Sequence, residues 1–232
     1  MNGQIIKNYI SNKGISFQLR KASNVQEVEE AMRLRAAYTN ETPFHSKHPI
    51  DQQQLALPEW IKIGKTIFES KGGDVFCAFN QNNEIVSTLS GYDALQSFSM
   101  NPQYLTPSQK LLSAYYKDML TQLPQNLLIP GNYVYGAMGA TRPDCRMNGL
   151  MKRLMYLSIQ QFYEKNFKYY LGFYTSIHNY KLGLSLGSTV IKYYDMPEDS
   201  NYECYKGQGI CVAMITDLQE INKLIIQFND SY

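Results

Sequence analysis

The chain has almost no excess of charge of either sign and no long apolar run. Its 232 residues contain 22 Lys and Arg against 20 Asp and Glu, a formal net charge of +2. Because the bases are scattered rather than gathered into runs, nucleic acid is not expected as a partner. No apolar stretch approaches the roughly twenty residues of a membrane span, so no membrane partner is expected.

Cysteine and histidine are also scarce. None of the four cysteines forms a C-x-x-C pair, and the first ten residues lack the pattern of a signal peptide, so a cytoplasmic location is expected. His45 and His48 form an H-x-x-H pair on a proline-flanked segment. They lack a third ligand at a recognisable spacing, and no metal site is predicted. Nucleophile elbows, Walker loops and dinucleotide fingerprints are absent from the sequence.

Apolar patterning instead predicts a mixed α/β chain. With 44% hydrophobic residues, residues 1–232 are predicted to form a single domain around a large core. Alternation and short apolar runs predict strands at 15–20, 74–80, 84–92, 132–140, 168–176, 189–194 and 207–215. Helical spacing predicts helices at 25–35, 58–71, 106–123, 148–166 and 178–186. This order favours a layered α/β (α+β) fold over a barrel.

The stretch TRPDCRMNGLMKRL, residues 141–154, lies where a predicted strand becomes a helix. A helix start offers unpaired N–H groups and a partial positive charge to an anion. Gly149 would let a ligand approach the backbone closely. Arg146, Lys152 and Arg153 add positive charge where the helix dipole disfavours it, which a bound anion would explain. An ordinary turn with solvent-facing bases explains the same residues equally well.

Residues 134–154 resemble the acetyl-CoA-binding motif of the GCN5-related N-acetyltransferase (GNAT) superfamily. The family pattern Gln/Arg-x-x-Gly-x-Gly/Ala falls on residues 146–151, which read RMNGLM. The following strand, the short helix after it and the pair Leu186-Gly187 also resemble the family, as does FQLRKAS near the start. The resemblance implies one GNAT-like domain with a mixed, mostly antiparallel sheet, a splayed strand pair and flanking helices.

The resemblance also implies acetyl-CoA as co-substrate. Backbone amides of the motif would hold its pyrophosphate, and the pantetheine arm would lie between the strand ending near Ala140 and the strand beginning near Lys168. A backbone amide of the splayed strand would polarise the thioester carbonyl. The cofactor-binding residues implied in this way are Met138, Gly139, Ala140, Arg146, Met147, Asn148, Gly149, Leu150, Met151 and Lys152.

Three positions depart from the family pattern. Met151 stands where Gly or Ala is usual, and Ser188 stands where Phe is usual. The position of the family's frequent acid, a tyrosine, is Gly183. Tyr180, one helical turn earlier, is a candidate for the acid, although a core or surface role is the commoner one for a tyrosine in a chain with 19 of them. His178 would either relay a proton or cap the short helix.

A catalytic base is implied by a second, local resemblance. Residues 38–44, YTNETPF, are similar to a segment of the arylalkylamine and dopamine acetyltransferases in which a Glu before Pro acts through water. Glu41 is therefore the predicted base, although Thr42 is inserted before the proline; a solvated loop carboxylate is the alternative.

The expected function is acetyl-CoA-dependent acetylation of a small primary amine, arylalkylamine- or polyamine-like. The alternatives are an inactive GNAT-like binding or assembly subunit and a protein N-acetyltransferase. The oligomeric state is left open.

Overall fold

Eight strands form one sheet in the order β1-β2-β3-β4-β5-β6-β8-β7 in the computed structural model, which describes residues 6–38, 50–96, 98, 102–105, 107–196 and 210–229. Neighbouring strands are antiparallel except β5 and β6, which are parallel. The strands are β1 (Lys7–Ile10), β2 (Ser16–Lys21), β3 (Gly73–Phe79), β4 (Ile85–Asp93), β5 (Tyr133–Thr141), β6 (Tyr169–Tyr174), β7 (Thr189–Tyr194) and β8 (Cys211–Asp217).

Helices cover both faces of this sheet. They are α1 (Val25–Ala37), α2 (Ile50–Glu69), α3 (Pro107–Thr121), α4 (Leu150–Glu164), α5 (Ile177–Ser185) and α6 (Leu218–Asn229). One core cluster includes Leu154 of α4 and Ile221 of α6, and the other includes Met32 of α1, Ile67 of α2 and Met119 of α3. Alternate residues of the central strands therefore face two separate apolar layers. No helix in the described part of the chain is long and apolar enough to cross a membrane.

Helix starts follow the local chemistry of the sequence. Asn24 caps α1 by accepting a hydrogen bond from the Glu27 amide through Oδ1, at 3.0 Å. Ser176 caps α5 in the same way, accepting from the Asn179 amide at 3.3 Å. α4 begins differently, because its cap residue is Gly149 in the left-handed region, with φ 73°, and no side chain caps it.

The α/β class and the mostly antiparallel sheet with one splayed pair are confirmed. Three details of the element prediction are wrong. Helix α2 begins at Ile50 rather than at Pro58, which lies inside it. Strand β1 and helix α6 were not predicted at all.

Candidate functional site

Strands β5 and β6 part in the middle of the sheet. They pair only from Tyr133 with Tyr169 to Gly136 with Gly172. Beyond that point β5 continues along β4 to Thr141, and β6 continues along β8 to Tyr174. Among the residues that the structure describes, the second half of β5 thus has no strand partner on the β6 side. Its peptide groups there are available to an extended ligand, as at an exposed sheet edge.

A bulge lies in β5 next to this gap. Ala137 pairs with Ser90 and Ala140 pairs with Thr88, so two residues of β5, Met138 and Gly139, face one residue of β4. Met138 has φ 56°, which is the left-handed region. A side-chain-bearing residue there costs on the order of 1–2 kcal/mol. The bulge changes the direction of the β5 peptide groups where the strands separate, as bulges beside functional sites commonly do.

Two tyrosines cover the point where the strands part. A Cβ added to Gly136 would overlap the ring and hydroxyl of Tyr170. A Cβ added to Gly172 would lie 3.3 Å from Cε2 of Tyr174. Glycine at both positions lets these rings lie directly on the backbone of the last paired residues.

The start of α4 lies close to the end of β5 and presents free amides. Its first backbone hydrogen bond runs from the Arg153 amide to the Gly149 carbonyl, at 3.1 Å. Within the described residues, the amides of Leu150, Met151 and Lys152 have no hydrogen-bond partner, as helix geometry requires of a first turn. An anion at this corner would receive several N–H donors and the positive end of the helix dipole.

The space beside Gly149, which was predicted to admit a ligand, is bordered by a side chain of the protein itself. The atom nearest to a Cβ added there is Oη of Tyr9, at 3.0 Å. Glycine at this position is therefore explained by the left-handed backbone and by the contact with Tyr9. Tyr9 comes from β1 and was not predicted to belong to the site.

Three bases lie at this corner, as predicted. Nε of Arg146 donates to the Thr141 carbonyl at 3.1 Å, and its Cζ lies 5.8 Å from the ring centroid of Tyr38. Arg153 and Lys152 lie over the rings of Tyr9 and Tyr156, at 4.9 Å and 5.5 Å. These ring contacts hold the charged groups of Lys152 and Arg153 close to the first turn of α4, where a phosphate would lie.

Met151 lies beside the gap between the strands. Its half-buried side chain lies along the bulge, with Cε 3.1 Å and Sδ 3.3 Å from the place of a Cβ on Gly139. It also packs against the core cluster beneath α4. The thioether occupies the edge of the corner, and its flexible stem allows it to move.

The predicted catalytic side chains have different settings. Glu41 lies outside the described residues, as do His45 and His48. The hydroxyl of Tyr180 is 3.1 Å from that of Tyr193 on β7, and this hydrogen bond raises the pKa of Tyr180. His178 is exposed. The helix-capping alternative for it is wrong, because Ser176 supplies the cap of α5.

Tyr174 fills the place where the resemblance puts the catalytic tyrosine. A Cβ on Gly183 would lie 3.0 Å from Cζ of Tyr174 and 3.1 Å from Sδ of Met214. The Tyr174 side chain extends from β6, and its ring packs against Gly183 of α5. It is 6% exposed, and burial raises its pKa to about 12. The only sequence signal for it is the missing side chain at Gly183.

On the sheet face opposite α4, four rings form an aromatic wall, defined as Tyr92, Tyr116, Tyr135 and Phe173. The ring of Tyr135 lies 4.7 Å from Tyr116, 5.5 Å from Tyr92 and 6.3 Å from Phe173. Burial lowers the pKa of Arg35, next to Tyr135, to about 10. The wall spans β4, β5 and β6, so it lies across the gap from α4.

No group of three or more His, Cys, Asp or Glu side chains in the described part of the chain could hold a metal ion. The predicted cofactor residues from Met138 to Lys152 lie along one path. This path runs from the bulge, around the end of β5, to the first turn of α4.

Comparison with known proteins gives no sequence relative, since neither a family model nor a curated protein matches the chain. Solved structures do match. A protein of the yellow fever mosquito Aedes aegypti, named as an arylalkylamine N-acetyltransferase, has a TM-score of 0.68 at 11% identity, over 93% of this chain and 95% of its own. A Salmonella typhimurium protein described as an acetyltransferase, solved with its cofactor acetyl-CoA, has a TM-score of 0.55 at 13% identity, over 87% and 94%. The chain has the GNAT fold.

A third solved structure that matches the chain is the C-terminal condensation domain of Ebony in complex with beta-alanyl-dopamine. Its TM-score is 0.67 at 11% identity, over 88% of this chain and 99% of its own. At such identities the likeness defines the fold alone. The reaction has to be argued from the site.

Proposed function

We propose that this GNAT-fold chain is an acetyl-CoA-dependent N-acetyltransferase that transfers the acetyl group directly to a small primary amine. The observation that carries the proposal is the parting of β5 and β6 beside the bulge at Met138, with the uncapped start of α4 at the end of the same strand. The gap fits an extended thioester arm, and the helix start fits a diphosphate. The likeness to a structure holding acetyl-CoA supports this pairing.

The residues fit acetyl-CoA in two parts. The amides from Met147 to Lys152, with the cations of Arg146, Lys152 and Arg153, would bind the pyrophosphate. The backbone of Met138, Gly139 and Ala140, unpaired on the β6 side, would hydrogen-bond the pantetheine arm. One amide of the bulge would polarise the thioester carbonyl.

The transfer forms one bond and breaks one. The neutral amine attacks the thioester carbon, a C–N bond forms and the C–S bond breaks, and the leaving thiolate takes up a proton. We favour Tyr174 as the acid because its ring lies over Gly172, where the strands part; its hydroxyl is hydrogen-bonded to Ser188. Tyr180, whose hydroxyl is hydrogen-bonded to Tyr193 on β7, is the second candidate. Exposed His178 is the third candidate.

Matched phenol deletions test the acid. In a free-thiol assay, Tyr174→Phe should lower kcat by about 100-fold or more, the lower end for general acid catalysis. Tyr180→Phe and His178→Gln should stay within about two-fold under the same criterion. Wild-type kcat for Tyr174→Phe would exclude Tyr174, and a large loss in either of the other variants would assign the acid there.

Glu41 is proposed as the base that accepts the amine proton through water. Glu41→Gln should lower kcat/KM and remove the acidic limb of its pH profile. A profile identical to that of the wild type would exclude Glu41. Glu69, at the end of α2, provides a control carboxylate, and Glu69→Gln should keep the wild-type profile.

The acceptor is proposed to be an arylalkylamine rather than a polyamine. The aromatic wall offers ring surfaces on which an aryl group can pack, which a polyamine cannot use. Phenethylamine and tyramine should therefore be acetylated with higher kcat/KM than spermidine and agmatine. A preference for the polyamines would overturn this choice of acceptor.

A GNAT-fold domain without transfer activity is the second candidate. The thioether of Met151 beside Gly139 favours it, because a ligand entering the corner has to displace that side chain. Titration calorimetry with acetyl-CoA separates the two. Absence of heat at millimolar acetyl-CoA would leave the binding or assembly role. Turnover only on peptides would make the chain a protein N-acetyltransferase.

A further inference from the structure

Tyr9 of strand β1 lies against the corner where the proposed diphosphate binds. Its hydroxyl donates to the main-chain carbonyl of Asn148 at 2.8 Å, although 139 residues separate the two in sequence. The same hydroxyl is 3.0 Å from the place of a Cβ on Gly149. The ring stacks near Phe17 of β2, at 6.4 Å, and Arg153 lies over it. Tyr9 thus reaches the start of α4 from the sheet and packs between Phe17 of β2 and Arg153 of α4.

This hydrogen bond lies where the helix begins. In a helix extended by one residue, the carbonyl of Asn148 would accept from the amide of Lys152. The left-handed backbone of Gly149 turns that carbonyl out of the helix, Tyr9 donates to it, and the first helical bond is the one from Arg153 to Gly149. The amide of Lys152 therefore stays free for a ligand.

The same bond also fixes the direction of a peptide group. The carbonyl of Asn148 and the N–H of Gly149 belong to one trans peptide and point in opposite directions. Because the carbonyl faces Tyr9, the Gly149 N–H points away from β1.

The Asn148 side chain acts in a similar way on the peptide before it. Its Nδ2 donates to the carbonyls of Cys145 and Arg146, at 3.0 Å and 3.4 Å. With the Arg146 carbonyl turned inward, the N–H of Met147 points the opposite way. Asn148 is 2% exposed, so this arrangement is held within the protein interior. Backbone amides that point outward from one turn, as those of Met147 and Gly149 do, can form an anion-binding concavity.

We infer that Tyr9 is a positioning residue for the diphosphate of the acyl donor, acting through the Asn148 carbonyl on the amides of Gly149 and Lys152. This inference rests on the proposed function for the identity of the diphosphate. It makes β1 part of the cofactor site, although β1 contributes no atom to the gap between β5 and β6.

Tyr9→Phe tests the inference because it removes only the hydroxyl and keeps the ring. Loss of one hydrogen bond that orients the amides should weaken acetyl-CoA binding about five-fold by calorimetry. S-acetyl-pantetheine carries the thioester arm without any phosphate, so it does not bind the amides that Tyr9 orients. Its kcat/KM should therefore stay within about two-fold of the wild-type value, less than the effect of one lost hydrogen bond. Tyr163→Phe on α4 removes a phenol from a residue that is 38% exposed and should change neither value.

Two outcomes would overturn the inference. Tyr9→Phe that binds acetyl-CoA as tightly as the wild type would show that the hydroxyl does not position the amides. Equal losses for acetyl-CoA and S-acetyl-pantetheine would show a general structural role instead.

A second measurement does not depend on acetyl transfer. Inorganic pyrophosphate should shift the Gly149 amide resonance of the wild type in ¹⁵N NMR spectra, and it should shift that of Tyr9→Phe less. A wild-type Gly149 amide that does not respond would overturn the inference. Wild-type protein that binds pyrophosphate and acetyl-CoA but transfers no acetyl group would overturn the proposed enzyme activity and leave the role of Tyr9 intact.

Discussion

Gly149→Ala should destabilise the protein for two reasons that can be measured separately. Gly149 has φ 73°, where alanine costs on the order of 1–2 kcal/mol more than glycine. The reduced freedom of the unfolded chain offsets about 0.4–1 kcal/mol of this. The new methyl group would also lie 3.0 Å from Oη of Tyr9, closer than an ordinary van der Waals contact.

The net loss should be roughly 1–2 kcal/mol, because the strained contact with Tyr9 adds to the backbone cost. Urea unfolding measures this loss directly. In a chain of this size the melting temperature should fall by about 2–8 °C, at roughly 2–4 °C per kcal/mol.

Gly187→Ala is the matched control. Gly187 has φ 72° and no atom within 4 Å of an added Cβ, so alanine there brings the backbone cost alone. Gly149→Ala should therefore be the less stable of the two variants, and adding Tyr9→Phe should reduce the difference. If the two alanine variants were equally stable, Tyr9 would not lie against Gly149, and the position of β1 at the cofactor corner would be wrong.

Three further predictions concern other parts of the site and its support. The hydrogen bond from Arg20 holds the pKa of Glu27 at about 2 instead of 4.5, so this pair stabilises the fold above pH 4.5 and the contribution is lost as the pH falls towards 2. Glu27→Gln should cost on the order of 2 kcal/mol at pH 7 and little at pH 2, and urea unfolding with an unchanged pH dependence would contradict this. Met151→Ala should bind acetyl-CoA a few-fold more tightly, because the variant has no thioether to displace from Gly139 and to fix in a new position, which costs about 0.5–1.5 kcal/mol for a flexible side chain. Weaker binding in calorimetry would show that the thioether contacts the cofactor. Gly136→Ala should lose about 1–3 kcal/mol in urea unfolding, because its methyl group overlaps the phenol packed above it, and wild-type stability would refute that packing.

Local sequence signals predicted the elements that surround the gap. The hairpin of β3 and β4, strand β5, helix α4 and strand β7 lie within two residues of their predicted bounds. These segments have strong periodicity and clear turn residues. The prediction failed where the periodicity was weak or where one residue was taken as the boundary of an element. Pro58 indicated a helix start, but the helix already runs through it from Ile50.

The missed elements differ in how visible they were. Helix α6 had a signal, because Leu218, Ile221 and Ile225 recur at helical spacing and Asp217 caps the first turn by accepting from two amides. Strand β1 had almost none, since it has four residues and lies at the edge of the sheet with two of them exposed. A short edge strand gains its order from its neighbour and not from its own pattern.

The same difference between local patterns and long-range contacts applies to the candidate site. The motif around Gly149 could be recognised because its residues are consecutive. Tyr9 and Tyr174 could not be assigned, because they reach the site from distant strands and only the sheet order brings them there. Met151 shows a third limit. The sequence indicates a bulky side chain at the corner but not the direction in which it lies.

The hold of β1 on the loop before α4 has a practical consequence for purification. A bulky affinity tag or a fusion partner joined ahead of Lys7 would enter the fold a few residues from Tyr9 and could pull the edge strand out of register. The paired phenol would then leave the Asn148 carbonyl. A preparation tagged in this way would lose affinity at the proposed diphosphate site for reasons unrelated to the chemistry of acyl transfer.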